Sequence, residues 1–319
     1  MNCCNRLFGQ LNEARWTRWA LMLGCLAIFG AGCSIKKMGV NKLGDALAGG
    51  GTAFTSDDDP ELVKAAVPFS LKLMESLLNE SPRHRGLLFA TASGFTQYAY
   101  AFVQQDADEL EDKDLDAATA LRARAKRLFV RARNYGLRGL AVSHRDFEKA
   151  LRADPKVAVR AALKSDVPLL YWTAASWAAA ISLSKDNPQL VSEQPVIEAL
   201  IDHALELDES FGHGAIHSFL ISYEMSRQGA GGDPVTRAKR HLDRALELSG
   251  GKEVSPLIAY AEAVSVSKQN LKEFDSLLQR ALAIDADAHP ESRLVNLVMQ
   301  RRARWLATQR DKLFLVTEK

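Results

Sequence analysis

From Pro60 to the end of the chain, apolar residues recur at three- and four-residue intervals with hardly a break, and no alternating β-branched run of strand length interrupts them. That periodicity predicts helices throughout and excludes a sheet-based core. Asp59-Pro60, Asp233-Pro234 and Ser255-Pro256 each place a capping side chain before a proline suited to a first helical turn. A second regularity sits on top of the first: an apolar residue, another four later, and a small residue three after that. Ala125, Phe129 and Ala132 show it, as do Ile197, Ile201 and Ala204, then Ala238, Leu242 and Ala245, then Phe274, Leu278 and Ala281.

The last three copies close alike, with Leu205-x-Leu207-Asp208, Leu246-x-Leu248-Ser249 and Leu282-x-Ile284-Asp285. Ile197 to Ala238 is 41 residues and Ala238 to Phe274 is 36, close to the tetratricopeptide period of about 34. Fragments of the ending recur from Phe147 to Pro155, with Ala150, and from Ser70 to Pro82, where Leu77 takes the small-residue position. A hairpin of two helices cannot bury both its faces alone, so a small residue on one helix lets the next hairpin approach and extend the core. Ordinary bundle amphipathicity also yields spacings of three and four; the shared endings favour repeats. The expected fold is all-α, a degenerate tetratricopeptide-like helix-hairpin array of the α-solenoid type, spanning 59–319.

The N-terminal region has a different composition. All four cysteines, Cys3, Cys4, Cys25 and Cys33, lie at or before position 33. Arg6, Arg15 and Arg18 precede the uncharged apolar stretch Trp19 to Ala31, which has the length of a signal's hydrophobic region and falls short of a spanning helix. Gly30-Ala31-Gly32-Cys33 resembles the lipobox of bacterial lipoproteins, although the position three before the cysteine is usually Leu and here is Gly30. The expectation is a signal peptide over 1–32 and a lipidated Cys33; a plain secretory signal or an uncleaved anchor helix is the alternative. Several acyl chains on one residue suffice for stable membrane attachment. Ser34 resembles the pattern that sorts Gram-negative lipoproteins to the periplasmic side of the outer membrane. Residues 33–58, rich in glycine and small polar side chains, read as a flexible tether, or else as an arm lying across the domain.

Three of the 41 basic and one of the 39 acidic residues lie in 1–32, which leaves 38 of each. The mature chain is formally neutral, so its totals give no basic stripe for a phosphate backbone, and no nucleic acid partner is expected. With no thiol after Cys33, stability must come from packing, without internal disulfides or cysteine metal sites.

Several unusual strings go beyond generic repeats: Leu170-Tyr171-Trp172-Thr173-Ala174-Ala175-Ser176-Trp177, Ala204-Leu205-Glu206-Leu207-Asp208-Glu209-Ser210-Phe211, Gly212-His213-Gly214-Ala215-Ile216-His217, Gly231-Gly232-Asp233, and Leu248-Ser249-Gly250-Gly251-Lys252. In this order they resemble the TatT family, tetratricopeptide-containing lipoproteins associated with TRAP (tripartite ATP-independent periplasmic) transporters, from about Cys33 to Phe314. The resemblance implies a helical array of degenerate repeats, a periplasmic TRAP solute-binding protein as partner, an apolar cavity or pore for a small-molecule ligand, and homo-oligomers such as a trimer. Two departures bear on the ligand surface. The usual doubled aromatic after the histidine-containing string is Ser222-Tyr223, and the tyrosines after the Gly-Gly-Lys string are reduced to Tyr260.

The ligand or partner candidates are therefore Tyr171, Trp172, Trp177, His217, Tyr223 and Tyr260. Trp172 and Trp177, five apart, project about 140° from each other on a helix that is apolar all round. Such a helix is central, and its indoles either fill the core with their N–H groups paired or face a cavity. His213 and His217, four apart, have the spacing of a metal clamp, but Gly214 stands where a zincin motif needs Glu, and a hydrogen-bonded His217 is the commoner case. Asp57-Asp58-Asp59 lacks calcium-loop spacing and suits a helix N-terminus. Gly250-Gly251-Lys252 lacks the earlier glycine of a phosphate loop and reads as a helix C-cap. Without a Gly-x-Ser-x-Gly elbow or an identifiable acid pair, no catalytic residue, metal or cofactor is expected. The chain reads as a non-catalytic accessory of solute uptake. A general envelope-assembly scaffold is the rival, and a helical hydrolase or lyase is disfavoured.

Overall fold

A computed structural model describes residues 41–47, 49, 54–184 and 186–315. Residues 1–32, expected above to be a signal peptide, and Cys33 lie outside the described residues. Every regular element among the described residues is a helix, and no helix there is long and apolar enough to cross a membrane. Helix α1 (Pro60–Glu80) is capped by Asp59, whose side chain accepts from the N–H groups of Glu61 and Leu62, so the aspartate run is an N-terminal cap. Helix α2 (Arg85–Tyr98) continues through a π-helical turn, Ala99–Gln104, into Gln105–Leu110, and pairs with the long α3 (Leu115–Ser143). After the short α4 (Phe147–Ala153) come three hairpins: α5 (Val167–Ser182) with α6 (Gln194–Leu207), α7 (Ala215–Glu224) with α8 (Pro234–Leu248), and α9 (Ser255–Tyr260) with α10 (Leu271–Ala283). A second π-helical turn, Ala261–Ser265, extends α9, and α11 (Arg293–Thr308) follows the last hairpin.

The recurring pattern falls on the second helix of each hairpin. Ala125, Phe129 and Ala132 of α3, Ile197, Ile201 and Ala204 of α6, Ala238, Leu242 and Ala245 of α8, and Phe274, Leu278 and Ala281 of α10 are each at most 4% exposed. These helices carry their charged residues on the opposite face, as outer helices must. The first helices differ. Helix α5 has no charged residue at all, because neither of its faces meets bulk water. Small residues set the spacing between layers: a Cβ on Gly136 would stand 2.1 Å from Thr173 Oγ1, and one on Gly139 would stand 2.6 Å from Leu169 Cδ2. Helices α3 and α5 thus touch backbone to side chain.

Helix α8 ends at Gly250 and Gly251, with φ of +60° and +72°, and the Gly251 N–H donates to Leu246 O at 2.8 Å. This is the C-cap that the sequence implies, a left-handed turn that glycine adopts without steric cost.

The two ends of the array meet. Arg301 of α11 bonds Asp106 and Glu109 at 2.9 and 2.7 Å, Arg302 bonds Asp108 at 2.7 Å, and Arg293 donates to the Ser56 carbonyl at 3.1 Å. Helix α11 also touches α1. The stack is closed into a ring, with its first helices inside. Residues 41–47, within the span read above as a tether, are helical. There the Ser81 hydroxyl donates to Asn41 Oδ1 at 2.8 Å and Leu47 packs beside Leu77 and Leu78, so this stretch is seated on the domain.

Candidate functional site

Closure leaves a central cavity of about 1170 Å³, above the roughly 300–1,000 Å³ usual for small-molecule sites. Its wall is built from the first helices α2, α5, α7 and α9 and from the end helices α1 and α11. The outer helices contribute little beyond Phe129, Gln194 and Ile197.

The periodicity of α5 splits into two functions here. Tyr171, Trp172, Ala175, Ala178, Ala179 and Ser182 line the cavity. Thr173, Ala174, Ser176, Trp177 and Ala180, on the remaining face, are buried in the core. Tyr171 forms a bridge of rings, 5.0 Å from Trp172 and 5.3 Å from Phe211 between centroids. Burial holds its hydroxyl protonated far above the usual phenol range. Across the cavity, Phe219 of α7 stacks on Tyr223 at 5.4 Å, and the Tyr223 hydroxyl reaches Glu198 Oε1 at 3.4 Å. Burial, with Glu198 adding to it, raises that hydroxyl as well.

Serine and threonine are frequent on the wall, and several of their hydroxyls are turned back onto their own helices. Ser93, Thr96, Ser182, Ser218 and Ser226 each donate to a carbonyl three or four residues back, at 2.7 to 3.2 Å. A hydroxyl folded back onto its own helix satisfies two polar groups and leaves its carbon side outward. The surface offered to a ligand is therefore mostly aromatic and aliphatic, with the polar side chains of Gln97, Gln104, Gln194, Gln228 and Glu262 set into it.

Three of the sequence candidates do not reach this cavity. Trp177 is fully buried in the core between α3 and α6; its Nε1–H donates to Glu193 Oε2 at 2.8 Å and the Arg133 guanidinium lies 4.8 Å from its ring centre. Tyr260 is 4% exposed and packs in the core formed by α8, α9 and α10. His217 sits between α7 and α8 with its Nδ1 2.8 Å from Nδ1 of His241, so one ring donates and the other accepts. Burial depresses both imidazoles, His241 to about 4, where the neighbouring His217 adds to the effect. His213 is not its partner. It occupies the turn before α7 at φ +54°, off the helical face, so the four-residue spacing does not bring the two rings together.

The cavity also recruits residues that sequence reasoning passed over, chiefly Phe89, Gln97, Tyr100 and Gln104 from α2 and its π-helical turn, Phe219, and Glu262. The run Phe89 to Phe102, in which small residues alternate with aromatics, was the available signal: small residues on a helix that carries so many rings leave room for something else.

Residues 56–314 match the family described as TRAP transporter T-component. A protein of Treponema pallidum (strain Nichols), named only as uncharacterized, is 28% identical over 303 residues, covering 89% of this chain and 94% of the relative.

Proposed function

The chain belongs to the TRAP transporter T-component family, an accessory transport component, and from that premise we propose that it is a non-catalytic lipoprotein facing the periplasm. It is tethered through an acylated Cys33, docks a TRAP-type solute-binding protein, and holds an apolar small molecule in its central cavity. The cavity carries this reading. The wall around this large volume is mostly apolar, and several of its hydroxyls are turned back onto their own helices; apolar surface facing such a volume gains about 25 cal/mol per Å² when a ligand covers it. Tethering the protein and its partner to one surface raises the effective concentration of their second encounter without any new contact.

Three measurements address the three parts. Organic extracts of protein purified without added detergent should release an apolar compound that mass spectrometry detects, and a Trp172→Ala variant should release less; an empty cavity in both would refute the ligand. Solute-binding protein should co-purify with the membrane-bound chain, and its absence after mild crosslinking would refute the partner. A Cys33→Ala variant should leave the membrane fraction. If that variant remains there as an acylated species, the anchor lies elsewhere.

A further inference from the structure

Among the described residues that line the cavity, Glu262 alone has a formally charged side chain, and none of them is a lysine, arginine or histidine. Glu262 lies on the π-helical turn Ala261–Ser265, and Tyr100, on the other π-helical turn Ala99–Gln104, joins it in the wall. Wide turns of this kind concentrate at functional sites, and here both chains of the wall carry one at the same pole.

Behind the wall, each of the three guanidinium nitrogens of Arg302 donates to a carboxylate. Its Nε and Nη2 reach Glu262 Oε1 at 3.0 and 2.6 Å, and its Nη1 reaches Asp108 Oδ2 at 2.7 Å. Asp108 is shared with Arg122, which also bonds Glu111. Two guanidiniums thus face three carboxylates, Glu262, Asp108 and Glu111. Both of Glu262's hydrogen bonds end on Oε1, so Oε2 accepts from neither, and the residue lines the cavity. The Tyr100 hydroxyl has no protein partner among the described residues. Tyr100 is 38% exposed, and the space it is exposed to is the cavity interior. Burial, with Glu262 next in effect, pushes that hydroxyl up to about 12, so it stays a neutral donor.

An anion taken out of water requires a cation or several donors to compensate it. Among the described residues this wall supplies no cation, places a carboxylate beside the Tyr100 phenol, and holds only uncharged donors elsewhere, among them the amides of Gln97, Gln104, Gln194 and Gln228. We infer that the cavity selects its ligand by charge: an apolar body bearing a hydroxyl, amide or ammonium head, whose donor seats on Glu262 Oε2 beside Tyr100, with carboxylates and phosphates rejected. The inference rests on the apolar-ligand reading above and adds the head group to it.

The test uses the full chain bearing Cys33→Ser, purified without detergent and loaded with the neutral fluorophore N-phenyl-1-naphthylamine. Decanol, decylamine and decanoate, which share one tail, compete for it near neutral pH. Decanol and decylamine should displace the dye at least about tenfold more tightly than decanoate, a difference of about 1.4 kcal/mol. Glu262→Gln should weaken decylamine and strengthen decanoate, narrowing that gap by about tenfold with decanol nearly unchanged. Tyr100→Phe, which leaves every ion pair in place, should weaken decanol about threefold without affecting uptake of the dye, and it serves if Glu262→Gln fails to fold. Equal competition by decanoate and decanol, with the dye bound, overturns the head-group inference and leaves the apolar cavity standing. A chain that binds neither dye nor any of the three overturns both.

Discussion

Replacing Arg302 with methionine removes the ion pairs that join α11 to α9 and to the segment after α2, while keeping most of the side chain's volume. Breaking a buried pair by deleting one partner costs about 3–5 kcal/mol, because the surviving charge is left uncompensated. Here the side chains of Arg302 and Asp108 are 15% exposed and that of Glu262 is 26% exposed, and Asp108 keeps Arg122. The loss should therefore sit at the low end, about 3 kcal/mol, including the contact of the guanidinium with the Trp305 ring at 4.3 Å, worth about 0.5–1 kcal/mol. Urea denaturation followed by circular dichroism measures it directly, and in a thermal scan it corresponds to about 6 °C. Most of the cost is the stranded Glu262 carboxylate, so Arg302→Met combined with Glu262→Gln should recover about 1–2 kcal/mol relative to Arg302→Met alone. As a control, Lys239→Ala, which breaks an exposed pair with Asp243, should change stability by less than about 0.5 kcal/mol. If Arg302→Met costs under about 1 kcal/mol, or if the double variant is no more stable than the single, the ring is not held shut by these charges.

Three further outcomes follow from the packing and the titration. Gly136→Ala should cost about 1–3 kcal/mol, because its Cβ meets Thr173 Oγ1, an overlap that outweighs the usual gain of about 0.5–1 kcal/mol for Gly→Ala in a helix; adding Thr173→Ala should return most of it in the same denaturation assay. Trp177→Ala should lose about 3–5 kcal/mol with its fully buried ring, whereas Trp172→Ala, which opens onto the cavity, should cost less than half of that and instead weaken dye binding. His241 should make the fold acid-sensitive: its folded pKa of about 4 lies below the ordinary imidazole value of 6.5, so its contribution is complete above 6.5 and is lost as pH falls toward 4. Between pH 8 and 5 the loss is about 2 kcal/mol, and His241→Gln should flatten that part of the stability curve; an unchanged slope would show that the histidine pair does not titrate as its burial requires.

The second helices could be read from the chain. Ala125, Phe129 and Ala132 and their three counterparts mark one buried stripe per helix because each faces water on the other side, and contrast with water is what periodicity records. The first helices lack that contrast. On α5, Trp172 and Trp177 are equally apolar in an equally apolar setting, yet one faces a void and the other fills the core. Tyr260 and His217 fall on the core side for the same reason, and the aromatic strings that singled them out carry no information about which side is empty.

Local chemistry therefore determined the helices, their caps at Asp59 and Gly250-Gly251, and the face each outer helix buries, since all of these depend on residues within a few turns. Only the tertiary structure decided that the stack closes on itself, because the contacts responsible, Arg301 and Arg302 against Asp106, Asp108 and Glu109, join residues about 190 positions apart, and nothing short-range in the chain selects them among so many exposed charges. Closure in turn created the cavity, placed Glu262 as the one formally charged side chain among the described residues of its wall, and gave the inner helices a second apolar surface to face. A hydrophobic pattern reports that water is excluded; whether a neighbour or an empty volume excludes it is settled when the ends meet.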